Sequence, residues 1–218
     1  MIGAEAVMRQ FLGALDRAAL ETLAFPHWLI DAPLPAAVPP ATAALPFAPP
    51  AIADSLGKRE THNSTRIFFS AANRCRFPVC AAVAAALQHR SVVQRLEALC
   101  GIRLAGAFLR IEYCQDSNGF WLEPHTDIGA KLFTMLIYLS TDDASVSWGT
   151  DLMTRDGAVL QRVPYRANSG FIFVPGSDTW HGFRKRPIAG VRRSLIVNYV
   201  TPGWRSRHEL AYPDCAVG

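Results

Sequence analysis

The stretches SGFIFVP (169–175) and RRSLIVNYV (192–200) decide the fold, because both are dense in the β-branched and aromatic residues that favour strands. Four earlier segments share this character: AGAFLRIEYC (105–114), KLFTMLIYLS (131–140), TDLMT (150–154) and AVLQRVPY (158–165). Turn-forming sequences such as DSNG, TDDAS and RDG separate them. Many short strands at this spacing are typical of a sandwich or jelly roll. We therefore predict a mainly β core over residues 105–200.

The first 104 residues are predicted to be helical and coil. Helices are expected at 4–23, at 78–89 and at 92–100, the last with Ser91 as N-cap and Gly101 as its end. A short strand is expected at 25–31. Seven prolines between Pro33 and Pro50 predict extended coil, because proline is excluded from helix and sheet interiors.

These parts predict one α+β domain over residues 1–218. Its core would be a double-stranded β-helix of the cupin-like jelly-roll type, with the N-terminal helices packed on one sheet. The C-terminal tail would run from 201 to 218. A length of 218 residues is sufficient to bury a core of this kind.

Composition excludes several classes of protein. With 50% hydrophobic and 18% charged residues, the chain is neither disordered nor a coiled coil. No segment approaches the ~20 apolar residues of a membrane span, and Glu5, Arg9 and Asp16 interrupt any signal-peptide core. The five cysteines show no CxxC pairing, so neither a disulfide framework nor a thiolate zinc site is expected. A reduced, cytoplasmic protein with no membrane partner is predicted; the oligomeric state is not.

Positive charge is concentrated near the C-terminus. The net charge is +4, and residues 151–218 hold 10 basic against 5 acidic side chains, which is +5. The run Arg184–Lys185–Arg186 could follow phosphates, but such a run is more often a solvated turn. Because the overall charge is mild and no basic surface is interleaved with aromatic residues, nucleic acid is not favoured as a partner.

Three side chains have the pattern of a metal site. His125 and Asp127, in LEPHTDIG (122–129), would lie on the same face of an extended segment. His181 follows 54 residues later, in DTWHGF (178–183). Two imidazoles and one carboxylate occupy one face of an octahedral ion and leave three positions open. A His-x-Asp pair alone is weak support, since it often arises by chance.

Arg192 strengthens this interpretation. It stands 11 residues after His181 and begins an apolar strand, where a cation that is buried needs an anionic partner. Arginine is suited to a bidentate carboxylate clamp.

In this order, the segments resemble the Fe(II)/2-oxoglutarate-dependent dioxygenases, in their prolyl-4-hydroxylase-like branch. The matching pieces are AFPHWLID, LRIEYC with FWLEPHTD, FTMLIYLS, WGTDL, FIFVPGSDTWHGF and RRSLIVNYV. The resemblance implies that His125, Asp127 and His181 bind Fe(II). It implies that Arg192 and Ser194 hold the C5 carboxylate of 2-oxoglutarate.

Strand alternation supports Arg192 over its neighbour Arg193, because Arg192, Ser194, Ile196 and Asn198 form the more polar face. A slip of one residue would exchange the two faces, so Arg193 stays an alternative. Tyr113 and Tyr138 stand where relatives have tyrosines near the cosubstrate; each could equally be a core aromatic.

The resemblance implies an enzyme that uses O₂ to couple the oxidative decarboxylation of 2-oxoglutarate, giving succinate and CO₂, to hydroxylation of an unactivated C–H bond. No catalytic residue beyond the metal ligands is expected, and Asp127 favours hydroxylation or desaturation over halogenation. A small-molecule substrate is favoured, with a peptidyl (prolyl-type) hydroxylase as the alternative. A module that binds metal and 2-oxoglutarate without turnover is the alternative of another class. Candidate substrate residues are Asn198, Trp121 and Arg66.

Overall fold

Two antiparallel sheets form the centre of the molecule. The structure is a computed structural model and describes residues 2–218. Seven strands make the larger sheet: β1 (Ala19–Glu21), β2 (His27–Asp31), β3 (Ile67–Phe68), β4 (Phe108–Asp116), β6 (Lys131–Tyr138), β9 (Ser169–Phe173) and β11 (Arg192–Val200). Four strands make the smaller sheet: β5 (Leu122–His125), β7 (Asp151–Met153), β8 (Val159–Arg162) and β10 (His181–Phe183).

The strand order is that of a double-sheet jelly roll. The larger sheet runs β1-β2-β9-β6-β11-β4-β3 and the smaller one β5-β10-β7-β8. The long strand β11 pairs with β4 on one side and β6 on the other, so residues far apart in sequence share one wall. The predicted mainly β core with flanking helices is confirmed.

Helices cover the outer face of the larger sheet. They are α1 (Ala4–Asp16), α2 (Val38–Ala43), α3 (Ala71–Arg76), α4 (Pro78–Gln88) and α5 (Arg90–Cys100), with 3₁₀ turns at Arg59–Thr65, Asp143–Ser147 and Arg207–Glu209. Within residues 2–218, no helix combines the length and the apolar character that a membrane crossing requires.

Alternation along β11 separates the two faces of the larger sheet. Leu195, Val197 and Tyr199 point into the hydrophobic core that the helices cover. The Tyr199 hydroxyl donates a hydrogen bond to the carbonyl oxygen of Leu87 in α4, at 2.6 Å. The opposite face of β11 therefore lies inside the jelly roll, between the two sheets.

Three local expectations were wrong. Helix α1 ends at Asp16 rather than at residue 23, because the chain turns there to form the β1–β2 hairpin. The proline-rich stretch contains α2, which has proline in its first turn, where no intrahelical N–H is needed. Helix α5 begins at Arg90, and its N-cap is His89, whose Nδ1 accepts from the Ser91 N–H at 3.2 Å. Gly101 does end α5, in the left-handed conformation.

Candidate metal and cosubstrate site

Pairing of β5 with β10 brings the two candidate histidine ligands together. His125 and His181 are partners across the two strands, and their ring centroids are 4.4 Å apart. Gly182 permits this close pairing, because a Cβ there would lie 2.9 Å from the carbonyl oxygens of both Leu122 and Glu123. The 54-residue separation in sequence is thus closed by one antiparallel strand pair.

Both imidazoles are held in the form that a metal ligand needs. The His125 Nδ1 bonds the Glu123 carbonyl at 2.8 Å, and the His181 Nδ1 bonds the Thr179 carbonyl at 2.9 Å. An Nδ1–H that donates to a carbonyl leaves Nε2 with its lone pair available. Burial lowers the pKa of His125, and burial together with the neighbouring His125 lowers the pKa of His181 to about 4. Both rings are therefore neutral at neutral pH.

Asp127 lies beside these rings as an ionised carboxylate. Burial opposes ionisation, but Lys131, His181 and Thr134 outweigh it and lower the pKa of Asp127 to about 2. Oδ1 accepts from the Lys131 ammonium at 2.5 Å, and Oδ2 accepts from the Thr134 hydroxyl at 2.6 Å. Both oxygens are therefore engaged, and within residues 2–218 no three His, Cys, Asp or Glu side chains form a ready cluster of metal ligands.

The donor set nevertheless fits a divalent cation. Two neutral imidazoles with free Nε2 atoms and one carboxylate are the protonation states that binding requires. All three residues line one cavity of about 440 Å³. Lys131 neutralises Asp127 at present, so a bound cation would take over the interaction that the ammonium now makes.

Arg192 lines the same cavity from the larger sheet, whereas the histidines belong to the smaller sheet. It is 3% exposed, its Nε donates to the Trp148 carbonyl at 2.7 Å, and its Nη1 donates to Asp116 Oδ2 at 2.6 Å. Nη2 has only a 3.5 Å contact with the Thr150 hydroxyl. One edge of the guanidinium is therefore left for a ligand carboxylate. Arg193 lies on the other face of β11, with Leu195, which pairs with Tyr113. Burial raises the pKa of Tyr113, and the charge of Arg193 opposes this rise.

Ser194 and Tyr138 flank Arg192. The Ser194 Oγ is fully buried and has no hydrogen-bond partner within the described part of the chain. The Tyr138 ring lies 5.8 Å from the Arg192 guanidinium carbon, and its hydroxyl donates to Thr150 Oγ1 at 2.9 Å. An orphaned buried hydroxyl beside an arginine with a free edge fits a carboxylate ligand.

The structure does not bring Tyr113 to the cavity. Strand alternation places it on the helix-covered face of β4, in the outer hydrophobic core, with its hydroxyl 3.4 Å from the Gln115 side chain. Of the two predicted tyrosines, only Tyr138 lies near Arg192.

The three candidate substrate residues have different positions. Arg66 lines the cavity and forms a two-pronged ion pair with Glu112, at 2.9 and 2.7 Å. Asn198 faces the interior but is fully buried, bonded to Arg110 and Thr134. Trp121 does not line the cavity, and its indole N–H donates to Asp54 at 2.6 Å.

Several residues of the site were not predicted from the sequence. Strand β4 contributes a buried charged row to the interior, and Arg110 in this row is paired with Glu112 and with Glu209 of the C-terminal tail. Trp204, also in the tail, lines the cavity, as does Arg59. The alternation R-I-E in 110–112, with polar residues on one face, was the available signal for the row. The tail and the segment before β3 carry no such pattern.

Two of the three cations in the basic run at 184–186 form ion pairs. Arg186 pairs with Asp151 at 2.7 Å and Lys185 pairs with Asp54 at 2.7 Å. Most of the charge excess that the sequence shows there is therefore already engaged in ion pairs.

No protein-family model matches the sequence, and no curated protein matches it either. Solved structures of similar fold include a prolyl-4-hydroxylase from Pseudomonas putida, with 15% identity and a TM-score of 0.56 over 89% of this chain and 94% of that one. A 2OG-Fe(II) oxygenase family protein from Burkholderia pseudomallei has 16% identity and a TM-score of 0.54, over 88% and 90%. A prolyl hydroxylase from Trichoplax adhaerens, solved with a hypoxia inducible factor peptide fragment, has 14% identity and a TM-score of 0.51, over 90% of each chain. The chain thus has the fold of the prolyl-4-hydroxylase-like 2-oxoglutarate oxygenases, as its sequence segments predict.

Proposed function

We propose that this protein is a non-haem Fe(II) dioxygenase that couples the oxidative decarboxylation of 2-oxoglutarate to the hydroxylation of an unactivated C–H bond. The observation that carries the proposal is that His125, Asp127, His181 and Arg192 line one cavity in an oxygenase fold. His125, Asp127 and His181 would hold the metal. When bound, Fe(II) with 2-oxoglutarate and O₂ supplies the oxidising chemistry.

The contribution of the chain is to bind and orient. Arg192 would hold the far carboxylate of 2-oxoglutarate through its free Nη2 edge, and the buried Ser194 hydroxyl would donate to the same group. The two histidines need no proton transfer before they bind a cation, because they are already neutral. Phe173, with its ring 5.0 Å from that of His181, is part of the apolar packing that keeps water from this ligand.

A small molecule is the substrate class that the cavity supports best. The segment 52–66, which we call the covering loop, closes one side of the cavity. Its Ser55 hydroxyl bonds the Trp121 carbonyl, its Gly57 carbonyl accepts from the Glu123 N–H at 2.9 Å, and its Asp54 pairs with Lys185. A peptide substrate, as in the Trichoplax complex, is the alternative class.

An anaerobic titration tests the proposal. Addition of Fe(II) and then 2-oxoglutarate should give a weak visible charge-transfer band, and admission of O₂ should convert 2-oxoglutarate to succinate. If the band forms but no succinate appears with any small molecule or peptide offered, the protein is a binding module. If no band forms, or if His125→Ala leaves turnover unchanged, the proposed function is wrong. A panel of compounds and proline-containing peptides, scored by the increase in succinate, separates the two substrate classes.

A further inference from the structure

A buried carboxylate joins the covering loop to the candidate cosubstrate arginine. Asp116, at the end of β4, is 2% exposed. Its Oδ2 accepts from Arg192 Nη1 at 2.6 Å and its Oδ1 accepts from Arg59 Nη1 at 3.1 Å. Arg59 belongs to the covering loop and lines the same cavity as Arg192. One carboxylate therefore lies between two guanidiniums, each supplied by a different part of the chain.

Asp116 fixes the direction of Arg192. With Nη1 on Asp116 and Nε on the Trp148 carbonyl, two sides of the guanidinium are held by the protein. The planar fork then has one remaining edge, at Nη2. A rigid orientation of this kind reduces the entropy that a ligand must overcome on binding.

Asp116 alone would cancel the charge that Arg192 needs. A buried Arg–Asp pair has no net charge, so it attracts an anion only weakly. Arg59 brings the group of Arg192, Asp116 and Arg59 to a net charge of +1. Among the described residues, Arg59 forms an ion pair with no carboxylate other than Asp116, so its charge is not cancelled a second time. The Arg59 guanidinium carbon also lies 4.7 Å from the ring centroid of Phe120, which keeps it at the cavity wall.

We propose that Asp116 and Arg59 are positioning residues of the cosubstrate site: Asp116 orients Arg192, and Arg59 supplies the charge that lets this pair accept one more carboxylate. The inference rests on the proposed function, since the ligand is 2-oxoglutarate. It adds a residue from the N-terminal part of the chain to a site otherwise built from the jelly roll.

The test is the affinity for 2-oxoglutarate without turnover, measured by titration calorimetry of the Mn(II)-loaded protein. Arg59→Gln should weaken binding about tenfold, whereas Arg59→Lys, which keeps the charge, should stay within about threefold of the original chain. The affinity for Mn(II) alone and the melting temperature are measured on the same samples. Arg95→Gln, a matched change in the exposed ion pair with Asp16, should leave the affinity for 2-oxoglutarate unchanged.

A double variant separates charge from general damage. Arg59→Gln with Asp116→Asn removes one positive and one negative charge, which restores the net +1. The asparagine keeps an amide oxygen that can still accept from Arg192 Nη1, so the orientation of Arg192 is retained. The double variant should therefore bind 2-oxoglutarate more tightly than Arg59→Gln alone. The proposal is overturned if Arg59→Gln binds like the original chain, if Arg59→Lys loses as much as Arg59→Gln, or if the double variant recovers nothing. Should Arg59→Gln fail to fold, the affinities of Arg59→Lys and of the double variant are compared with that of the original chain. Both keep the net charge of +1, so the proposal is overturned if either loses about tenfold in affinity for 2-oxoglutarate. If the original chain itself does not bind 2-oxoglutarate, the proposed function fails instead.

Discussion

Replacement of Arg192 by lysine, compared with the same change at Arg193, tests which face of β11 binds the cosubstrate. The two arginines are adjacent, but Arg192 lines the cavity, whereas Arg193 lies with Leu195 on the helix-covered face of β11. Lysine keeps the positive charge. However, its single ammonium cannot reach the Trp148 carbonyl, Asp116 and a ligand carboxylate in the way that the fork of Arg192 does.

The expected loss follows from the free edge of the guanidinium. A hydrogen bond between charged partners contributes about 1.5–3 kcal/mol, and Arg192→Lys removes the one that the Nη2 edge would make to the ligand. At ~1.4 kcal/mol per factor of ten, the affinity for 2-oxoglutarate should fall about 10- to 150-fold. Arg193→Lys removes no group from the cavity wall, so its affinity should stay within about threefold of the original.

The assay is calorimetric titration of 2-oxoglutarate into each Mn(II)-loaded variant, with the melting temperature as a check on folding. A loss confined to Arg193→Lys would mean that the strand presents the opposite face to the ligand, and the reasoning from alternation would be refuted. If neither change weakens binding, the ligand carboxylate is held elsewhere in the cavity.

Three further outcomes are expected. His181→Ala should weaken Mn(II) binding at least about 100-fold, whereas His27→Ala should leave it within about threefold, because His27 is a buried histidine outside the cavity; calorimetry with Mn(II) alone decides. Burial alone would raise the pKa of Glu112, but its paired arginines outweigh burial and lower this pKa far below the ordinary value. The ionised Glu112 therefore stabilises the fold fully above about pH 4.5, and this stabilisation is lost as the pH falls further. Glu112→Gln should therefore cost about 3–5 kcal/mol in urea unfolding at pH 7 and progressively less in acid; an equal cost at both pH values would contradict this. Gly170→Ala should cost about 2 kcal/mol or more, since its Cβ would lie 1.9 Å from the Leu136 carbonyl oxygen in the paired strand; an unchanged urea midpoint would show that the strands yield easily.

The sequence predicted the sheet well because strand alternation is a local property. On β11, the period of two placed Arg192, Ser194 and Asn198 on one face, and the structure has the same separation. The same period, applied to β4, would have placed Tyr113 on the face opposite Glu112 and away from the cavity. The covering loop has no such period, and its position depends on distant contacts such as Asp54 with Lys185.

The structure also shows which charged residues form ion pairs, which a count of charges along the sequence cannot show. Arg66 and Arg110 are matched by Glu112 and by Glu209, so this part of the cavity wall has two cations and two anions. Counting charges along the chain assigns the excess to residues 151–218, yet ion pairs join residues up to 131 positions apart, as Asp54 and Lys185 do. Local charge runs therefore say little about where an anion binds.

The better guide to an anion site is the ratio of cations to anions within each buried group of ion pairs. Asp151 is shared by Arg162 and Arg186, but the Arg162 side chain is 41% exposed, so water screens its charge. Asp116 is also shared by two arginines, and there the side chains are only 3% exposed for Arg192 and 20% exposed for Arg59. A buried excess of one positive charge is unfavourable until an anion compensates it. The group around Asp116 opens on the cavity that holds the histidines, which makes it the place where a carboxylate ligand gains most.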